Sequence, residues 1–477
     1  GHMKANKLVV ELFSLAILSG CLIACSKPTK EANTQSMQNM KVNRTNSNAK
    51  SNIFADDDYD AMIDEKNSTV LNLSDISKLK AKNVSVSGNV ITISSGGTYI
   101  LTGKLDDGRI VVNAKSDDKV RLVLKGVEIS STRGNPILVE NAKKTIITLA
   151  SDTKNKLELK GEFNKEENKD SVIFSKSDLS FNGTGILNLF SPYGRGIVSQ
   201  DKVVFVDGKY AMDTAGNTVS AKNSVAIADG KYDIKSGEKG TGLKTTGSDN
   251  KGSVYIANGN FNISAGKDGI NSNSKVTINN GNIKIKSGDN GIESENIDIR
   301  GGNTQVVSKD DGIFASGKKD TKPDSLHIQI SGGKVNIYSE KNGLNSKGDI
   351  SVTGGETVVE SSSNTENLTM NYRGSAKITG GTFVGVGNDS MVKSFGDSST
   401  QGSMLMKFDK KTKEDLKVLD ESGKTLAEYK PKSEYQTVIV STKDIRENKK
   451  YKLVAGDQTL DVFLDKINYK SAELVEK

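Results

Sequence analysis

The chain has very few of the residues that build compact catalytic or metal sites: no Trp, two Cys and two His among 477 residues. Without Trp it cannot present a surface of stacked indoles to crystalline cellulose. Gly1-His2-Met3 is typical of an expression vector, which leaves His327 as the remaining histidine. A Ser-His-Asp or Cys-His site would depend on His327, and the alternation Leu326-His327-Ile328 places it on the outside of a strand.

Both cysteines lie near the start of the chain, behind Lys4, Lys7 and a short apolar run. The run is too short to span a membrane and is typical of a signal-peptide core. "LSGC" and "LIAC" resemble the bacterial lipobox, and Cys25 is favoured over Cys21 because polar residues follow it at once. We predict lipid anchoring on the extracellular face of a bacterial membrane; a plain secretory signal with incidental cysteines is the alternative. The folded part then has no disulfide, zinc-thiolate site or cysteine nucleophile.

The chain has 66 basic and 59 acidic residues, a net charge of +7, and the two signs are mixed along the sequence. This balance argues against nucleic-acid binding and is compatible with an acidic partner. We assign residues 1–3 to the vector and 4–24 to the signal peptide. Residues 25–66, rich in Asn, Ser and Lys and then acidic, are predicted to be a flexible tether because they cannot bury much apolar surface.

Glycines recur through the middle of the chain at intervals of 21 to 31 residues: Gly208, Gly230, Gly259, Gly281, Gly302, Gly333, Gly355 and Gly381. Apolar residues alternate with polar ones before and after each glycine, which predicts two short strands per repeat. A repeat of about 22 residues of this kind predicts a parallel β-helix, in which each repeat is one rung. We place it at residues 67–388, with less regular rungs before 196.

The rhythm changes after Gly387. The segments that follow read as antiparallel hairpins with turns at Glu421-Ser422-Gly423 and Ala455-Gly456-Asp457. We predict a small C-terminal antiparallel β cap at residues 389–469 that covers the open edge of the coil, and a tail at 470–477.

An acidic turn motif repeats on successive rungs: Asp289-Asn290-Gly291-Ile292 returns as Asp310-Asp311-Gly312-Ile313. Equivalent residues of adjacent strands lie about 4.8 Å apart. Two carboxylates at about 5 Å repel by about 3 kcal/mol at an effective dielectric of 20, so a repeated pair needs something to offset it. Ca²⁺ accepts carboxylate, amide and carbonyl oxygens, whereas zinc would need His or Cys ligands.

We therefore predict a calcium site whose candidate ligands are Asp268, Asp289, Asn290, Asp310 and Asp311. The alternative is turn chemistry, because Asp-Gly and Asn-Gly are turn formers. On that interpretation Asn290 and Asn342 form an amide ladder, and Lys267 and Lys309 neutralise the acids.

Several longer stretches carry a family resemblance: "TYILTGKL", "VRLVLKGVEI", "IFSKSDLSFNGTGILNL", "GIVSQDKV", the recurring "DGI", and "GGTFVGVGNDSM" with "STQGSMLMKF". They resemble a bacterial carbohydrate-binding family of right-handed parallel β-helix proteins, over roughly residues 75 to 465. The resemblance implies a calcium-containing surface lipoprotein that binds plant cell-wall polysaccharide, notably acidic pectin-type chains and also cellulose, without catalysis. The chain departs from the motif in two rungs, at "MDTAGNTV" and "GEKGTGLK".

Three functions remain open from the residues. In a binder, uronate carboxylates would meet bound Ca²⁺ and outward cations, for which Lys267, Lys284, Arg300 and Lys309 are the candidates. In a calcium-dependent polysaccharide lyase, a Lys or Arg would remove the proton next to the uronate carboxyl group. In a structural adhesin, the coil would serve as a rigid rod.

Overall fold

The computed structural model describes residues 53–248, 251–362, 368–388 and 393–474. Strands make up most of it, joined by short turns and by 3-10 turns at Asp56–Tyr59, Glu65–Asn67, Leu73–Lys78, Lys165–Glu167, Pro323–Ser325 and Ala472–Leu474. The predicted vector residues, signal peptide and lipobox cysteines lie outside the described residues. No helix in the described ranges is long and apolar enough to cross a membrane. The chain divides into two compact units after Ser274, and each is described by itself.

The first unit contains twenty-two strands. In chain order they are β1 (Thr69–Asn72), β2 (Val84–Ser87), β3 (Val90–Ile93), β4 (Gly97–Leu105), β5 (Arg109–Asn113), β6 (Lys119–Ser131), β7 (Ile137–Asn141), β8 (Lys144–Leu149), β9 (Lys154–Leu159), β10 (Ser171–Ser175), β11 (Asp178–Gly183), β12 (Ile186–Ser191), β13 (Arg195–Ser199), β14 (Lys202–Phe205), β15 (Lys209–Thr214), β16 (Val219–Ala221), β17 (Ser224–Ile227), β18 (Lys231–Ser236), β19 (Leu243–Thr245), β20 (Ser253–Ile256), β21 (Asn260–Ala265) and β22 (Ile270–Asn271).

These strands form three stacks with almost entirely parallel pairing. Stack I is β1-β4-β6-β8-β11-β14-β17-β20, and stack II branches from the second half of β6 as β9-β12-β15-β18-β21. Stack III is β2-β3-β5-β7-β10-β13-β16-β19-β22, with its antiparallel pair at β2–β3. From β10 onward each strand pairs with the third strand further along the chain, as in β13–β16, β14–β17 and β15–β18.

In-register pairing places equivalent inward residues of successive rungs on one another. Two residues after the repeat glycine, Tyr210, Tyr232 and Phe261 stack with ring centroids 5.0 and 4.7 Å apart. All three are buried, as the sequence predicts. This spacing equals the separation of neighbouring strands, so the aromatic column follows from the register itself.

The repeat glycine is required by its backbone conformation and by the column beside it. Gly208 and Gly230 have φ of +113° and +119°, a region that residues with a Cβ rarely adopt. A Cβ on Gly230 would also lie 2.7 Å from the hydroxyl oxygen of Tyr232. That hydroxyl donates a hydrogen bond to the carbonyl oxygen of Asp229 (2.6 Å), which ties the ring to the turn.

The segment 53–65 lies across the outward side of stack I. Phe54 packs against a cluster that contains Val204, Val206 and Ala226. Further along, Ile63 packs against Ile100, Val123 and Ala150. Outward positions that would otherwise expose apolar side chains are therefore covered.

Ion pairs hold the middle of the same segment. The ammonium group of Lys144 lies 2.6 Å from a carboxylate oxygen of Asp57 and 2.5 Å from one of Asp58, and Lys119 lies 2.7 Å from Asp57. Burial alone would lower the pKa of Lys144 and raise that of Asp57, but these bonds outweigh it, so the pKa of Lys144 is raised and that of Asp57 is lowered. The register of β6 with β8 places Lys119 beside Lys144. The acidic sequence around Asp57 and Asp58 does not by itself reveal this pair of lysines.

The second unit contains twenty-one strands. In chain order they are β23 (Lys275–Ile278), β24 (Asn282–Ser287), β25 (Ile292–Ser294), β26 (Asn296–Ile299), β27 (Asn303–Ser308), β28 (Ile313–Ala315), β29 (His327–Ile330), β30 (Lys334–Ser339), β31 (Leu344–Ser346), β32 (Asp349–Val352), β33 (Glu356–Ser361), β34 (Met370–Tyr372), β35 (Ala376–Ile378), β36 (Thr382–Gly387), β37 (Ser403–Thr412), β38 (Leu416–Asp420), β39 (Thr425–Tyr429), β40 (Tyr435–Ser441), β41 (Lys450–Ala455), β42 (Gln458–Phe463) and β43 (Asn468–Lys470).

Three parallel stacks recur in this unit, followed by antiparallel strands. Stack IV is β23-β26-β29-β32-β35, stack V is β24-β27-β30-β33-β36, and stack VI is β25-β28-β31-β34. The antiparallel strand β40 joins β36 to β37. A separate sheet β39-β38-β41-β42 contains the two hairpins, whose turns at Gly423 and Gly456 lie where the sequence places them.

A buried carboxylate joins the antiparallel part to stack V. Glu360 of β33 is 2 % exposed and accepts hydrogen bonds from the Tyr429 hydroxyl and from the backbone N–H groups of Lys432 and Ser433. Burial raises the pKa of Glu360, and the hydrogen bonds and the nearby Lys432 oppose that shift. Three donors around one carboxylate place the 429–433 segment over the outward side of β33.

We predict that Ile285→Ala lowers the free energy of unfolding by about 2–5 kcal/mol, because Ile285 is 3 % exposed in the interior of β24. Its neighbour Lys286 points outward and is exposed, so Lys286→Ala should change stability by less than about 0.5 kcal/mol. Urea denaturation of both variants measures the difference. Equal losses would contradict the inward assignment of the alternating residues.

Candidate functional site

The acidic motif lies at the turns that join stack V to stack VI. Ser287, Ser308 and Ser339 pair in register before these turns, and Ile292, Ile313 and Leu344 pair after them. Equivalent turn residues are therefore stacked: Asp289 with Asp310 and Lys341, and Asn290 with Asp311 and Asn342. The structure thus brings four of the five predicted calcium ligands into one column of turns.

The fifth predicted ligand, Asp268, belongs to the first unit and is 3 % exposed. One of its carboxylate oxygens accepts a hydrogen bond from the amide nitrogen of Asn271 at 2.7 Å. Its backbone carbonyl accepts the N–H of Gly242. Asp268 occupies the same turn position in its own rung, before the turn glycine.

Side-chain oxygens directly before the turn glycines form a ladder along the column. The Asn290 Oδ1 atom accepts the backbone N–H of Asp311 (3.0 Å), and the Asp311 Oδ1 atom accepts that of Asn342 (3.0 Å). The Asn342 Oδ1 atom in turn accepts the N–H of Leu368 (2.9 Å). The amide ladder that the sequence left open for Asn290 and Asn342 is therefore present, and Asp311 is one of its members.

Asp311 uses both carboxylate oxygens within the fold. Its Oδ2 atom accepts a hydrogen bond from the amide nitrogen of Asn345 at 2.9 Å, and the residue is 6 % exposed. Burial raises the pKa of Asp311; the Asn345 bond lowers it, and the charge of Asp310 raises it further. Asp311 therefore accepts hydrogen bonds that stabilise the turn column, as an asparagine oxygen would, and it adds a negative charge there.

Asp289 and Asp310 form a close pair one position earlier in the turn. The pKa of Asp289 is raised by burial, by its hydrogen bond and repulsion with Asp310, and by the charges of Glu293 and Asp311. The nearest cation in this column is Lys341, whose ammonium group lies 3.8 Å from Asp310 Oδ1. The pair favours a proton or a cation between its carboxyl groups.

Fewer of the predicted side chains have oxygens free of the backbone ladder than a calcium site with all five ligands would need. Asn290 and Asp311 direct oxygens to the backbone ladder, which leaves Asp289 and Asp310 as the carboxylates outside it. Among the described residues no group of three or more His, Cys, Asp or Glu side chains is arranged to hold a metal ion. Two carboxylates with carbonyl and water oxygens still suit Ca²⁺, which tolerates irregular oxygen coordination.

The four predicted ligand-contacting cations lie on different elements. Lys284 lies on β24 beside Gln305, and burial lowers its pKa. Arg300 follows β26 and pairs with Asp298 at 2.9 Å. Lys309 lies on the acidic turn itself, next to Asp310, and Lys267 follows β21 in the first unit.

Two further pairs of stacked acids escaped the sequence reasoning. Asp207 and Asp229 precede the repeat glycines of "VDGKY" and "ADGKY", so the signal was present one position before the aligned glycines. Burial raises the pKa of Asp207 to about 6, with a further contribution from Asp229, against the hydrogen bond from the Gly208 N–H and the charge of Lys209.

The second pair is Asp178 with Asp201. Burial and the contact with Asp201 raise the pKa of Asp178 to about 6, against the charges of Lys202 and Lys144. An Asp201 oxygen accepts a hydrogen bond from the amide nitrogen of Asn223 at 2.7 Å. Neighbouring carboxyl groups therefore recur in the protein and are not confined to the Asp-Gly-Ile motif.

We predict that Asp311→Ala lowers the free energy of unfolding by about 1–3 kcal/mol in the presence of a chelator. It leaves the Asn342 N–H and the Asn345 amide without their acceptor. Asp310→Ala removes a repulsive neighbour of Asp289 and should be neutral or slightly stabilising under the same conditions. Urea denaturation in the presence of chelator measures the free energy of unfolding of both variants. A larger loss of stability in Asp310→Ala than in Asp311→Ala would contradict the ladder role of Asp311.

We predict that Asp207→Asn stabilises the fold at pH 8 by up to about 3 kcal/mol and has no effect near pH 4. The folded-state pKa of about 6 lies above the ordinary aspartate pKa of 3.8, so the folded form binds the proton more tightly. Stability from this group is therefore present at low pH and is lost as the pH rises through 6. The amide oxygen of the variant keeps the bond from the Gly208 N–H.

Thermal denaturation between pH 4 and pH 8 measures the effect of Asp207→Asn. Asp117 is exposed, so Asp117→Asn is the control variant, which also loses one carboxylate. A stabilisation by Asp207→Asn that is the same at both pH values would contradict the burial of an ionised carboxylate.

Comparison with known proteins places the chain in a family. A solved structure of the polysaccharide lyase-like protein from C. thermocellum, a gadolinium derivative, aligns with a TM-score of 0.45 and 28 % identity over 49 % of this chain and 96 % of that chain. A carbohydrate-binding domain-containing protein of Acetivibrio thermocellus is 32 % identical over 142 residues, 28 % of this chain and 49 % of that protein, so the chain spans about half the length of that relative. The family profile named carbohydrate-binding domain-containing protein matches residues 87–295 and 272–468, well over half of the chain. The chain belongs to this carbohydrate-binding domain-containing family.

Proposed function

We propose that this protein binds acidic, pectin-type polysaccharide at the bacterial cell surface, with Ca²⁺ and without catalysis. Membership of the carbohydrate-binding domain-containing family supports a carbohydrate as the ligand. The observation that supports the calcium part is the Asp289–Asp310 pair on stacked turns, where burial and then the contact with Asp310 raise the pKa of Asp289. A divalent cation offsets the repulsion between these carboxylates and attracts uronate carboxylates to the same place.

The scaffold in this proposal is a right-handed parallel β-helix with a C-terminal antiparallel cap. The pairing of each strand with the third strand further along supports a coil of three strands per rung. The antiparallel strand β40 on β36 supports the cap, because it pairs the exposed edge of the last strand of stack V.

Calcium in this proposal is held chiefly by Asp289 and Asp310. Asn290 and Asp311 shape the turn through their ladder bonds, and Asp268 belongs to a different rung in the first unit. When bound, the ion supplies a positive charge that both protein and uronate carboxylates can share. The protein residues orient the two carboxylates and hold them on a rigid column.

Attachment to the membrane is a separate part of the proposal. It rests on the lipobox-like sequences at Cys25 and Cys21 and on the apolar run before them. A lipid on Cys25 would leave residues 26–52 between the membrane and the folded segment that begins near Ile53.

A polysaccharide lyase is the second candidate, and one observation favours it. Burial lowers the pKa of Lys284, which makes that amine a better base than a fully solvated lysine. A lyase would release products with a new double bond, whereas a binder would leave the polymer intact. A structural rod would do neither and would not be retained on polysaccharide.

We predict that the double variant Asp289→Asn/Asp310→Asn loses calcium-dependent retention in gels that contain polygalacturonate. Added Ca²⁺ should raise the melting temperature of the wild type, because an ion that binds only the folded form stabilises it by mass action. The double variant should melt at the same temperature with and without Ca²⁺. Asp106 and Asp117 are exposed, so Asp106→Asn/Asp117→Asn is the control with the same loss of charge.

Affinity electrophoresis with Ca²⁺ or chelator, together with metal analysis of the purified proteins, measures both effects. Unchanged calcium content and retention in the Asp289→Asn/Asp310→Asn variant would contradict the proposed site. Ultraviolet-absorbing unsaturated products from the wild type, and none from Lys284→Gln, would replace the binder with the lyase.

A further inference from the structure

Large hydrophobic side chains are rarely exposed in this protein. In the described residues those with high exposure are Met62, Val70, Phe190, Tyr193 and Phe463. Phe190 differs from the others because it lies within β12, in the middle of stack II, and is 37 % exposed. Tyr193, at 61 % exposure, follows in the turn that leaves β12. A single exposed hydrophobic side chain is ordinary, so the residues around Phe190 decide whether its ring belongs to a binding surface.

Charged side chains flank the ring on both neighbouring strands. In register with Phe190 stand Glu158 on β9 and Asp213 on β15, and Lys235 on β18 follows Asp213. The Lys156 ammonium group lies 5.4 Å from the ring centroid and 3.5 Å from a Glu158 oxygen. The ring is thus held in place by a cation and remains partly open to solvent.

Lysines recur at the start of the strands on either side of β12, four residues before the position of the ring. Lys154, Lys209 and Lys231 are exposed and are aligned by register through Ile186 of β12. Within the part of the chain that the structure describes, none of the three forms an ion pair. Lys209 and Lys231 lie on neighbouring strands, about 4.8 Å apart, and Lys154 lies two strands from Lys209, so their mutual repulsion favours a polyanion.

The outward side of β9, β12, β15 and β18, here called the stack II face, is basic overall. Its charged residues are five lysines and three acids: Lys154, Lys156, Lys209, Lys231, Lys235, Glu158, Asp213 and Asp233. Asn188 and Ala211 lie between the charged rows, next to each other in register. The face therefore combines an aromatic ring, small and amide side chains, and cations at the strand starts.

We propose that the stack II face is a calcium-independent contact surface for an acidic polysaccharide, on which a sugar ring rests against Phe190 and carboxylates meet the lysines at the strand starts. The inference rests on the proposed polysaccharide binding and adds a second surface to it. The apolar side of a sugar ring packs on an aromatic ring as other apolar groups do. The lysines at the strand starts supply charge complementarity for uronate carboxylates four residues along the strands from Phe190, a separation that an extended polysaccharide can span.

This face differs chemically from the acidic turns. Asp289 and Asp310 repel a polyanion unless a cation is bound, whereas Lys209 and Lys231 attract it directly. Binding that persists in chelator would therefore come from the stack II face. The two surfaces can be tested separately for that reason.

The experiment is affinity electrophoresis through polygalacturonate gels in Ca²⁺ and in chelator, with melting curves to establish that each variant is folded. Phe190→Ala should weaken the chelator-resistant retention about five-fold or more. Lys209→Gln/Lys231→Gln should weaken it by about five-fold at low salt and by less at high salt. Phe463→Ala and Lys443→Gln/Lys449→Gln are matched controls, since these residues are also exposed, and should leave retention unchanged.

The outcomes separate this inference from the proposed function. Full chelator-resistant retention in Phe190→Ala, or an equal loss in Phe463→Ala, would overturn the stack II face while calcium-dependent binding stands. Retention on a neutral glucan that depends on Phe190 but not on the lysines would overturn the assignment to an acidic chain. Absence of wild-type retention on every polysaccharide would remove the proposed function and this inference with it.

Discussion

In-register pairing of parallel strands is the constraint on which the rest of the structure depends. It sets every side chain about one strand spacing from its equivalent on the next rung. A residue type that repeats in the sequence therefore forms a column in the structure. Tyr210, Tyr232 and Phe261 form a column of rings, and the side-chain oxygens of Asn290, Asp311 and Asn342 form a ladder that accepts backbone N–H groups. The same rule makes a repeated carboxylate costly, because each acid meets another acid.

The turns show how that cost is distributed. Directly before the turn glycine, a side-chain oxygen is useful because it accepts the N–H of the next rung, and Asp311 serves there as Asn290 does. One position earlier no such bond offsets the repulsion between Asp289 and Asp310. Two adjacent acids in one motif therefore have different surroundings: Asp311 accepts a backbone N–H of the next rung, and Asp310 faces another carboxylate.

The outward sides of the stacks are not equivalent surfaces. On stack I, residues 53–65 cover Val204, Val206 and Ala226 and hold Lys144 with two aspartates. On stack V, the 429–433 segment lies over Glu360. The stack II face around Phe190 remains open. Because a carbohydrate ligand needs an accessible and regular surface, covering segments decide which side of each unit can bind.

The sequence by itself determined the period-two alternation, the buried rows such as Ile278 and Ile299, and the two hairpin turns, because each depends on local pattern and on glycine conformation. It also identified the column of Asp289, Asn290, Asp310 and Asp311. Only the tertiary structure decided which of these oxygens serve the backbone, that the acidic segment near Asp58 meets Lys144, and that Phe190 lies on an open face. Those features depend on residues far apart in sequence, whose partners are set by rung register and by covering segments that no local pattern encodes.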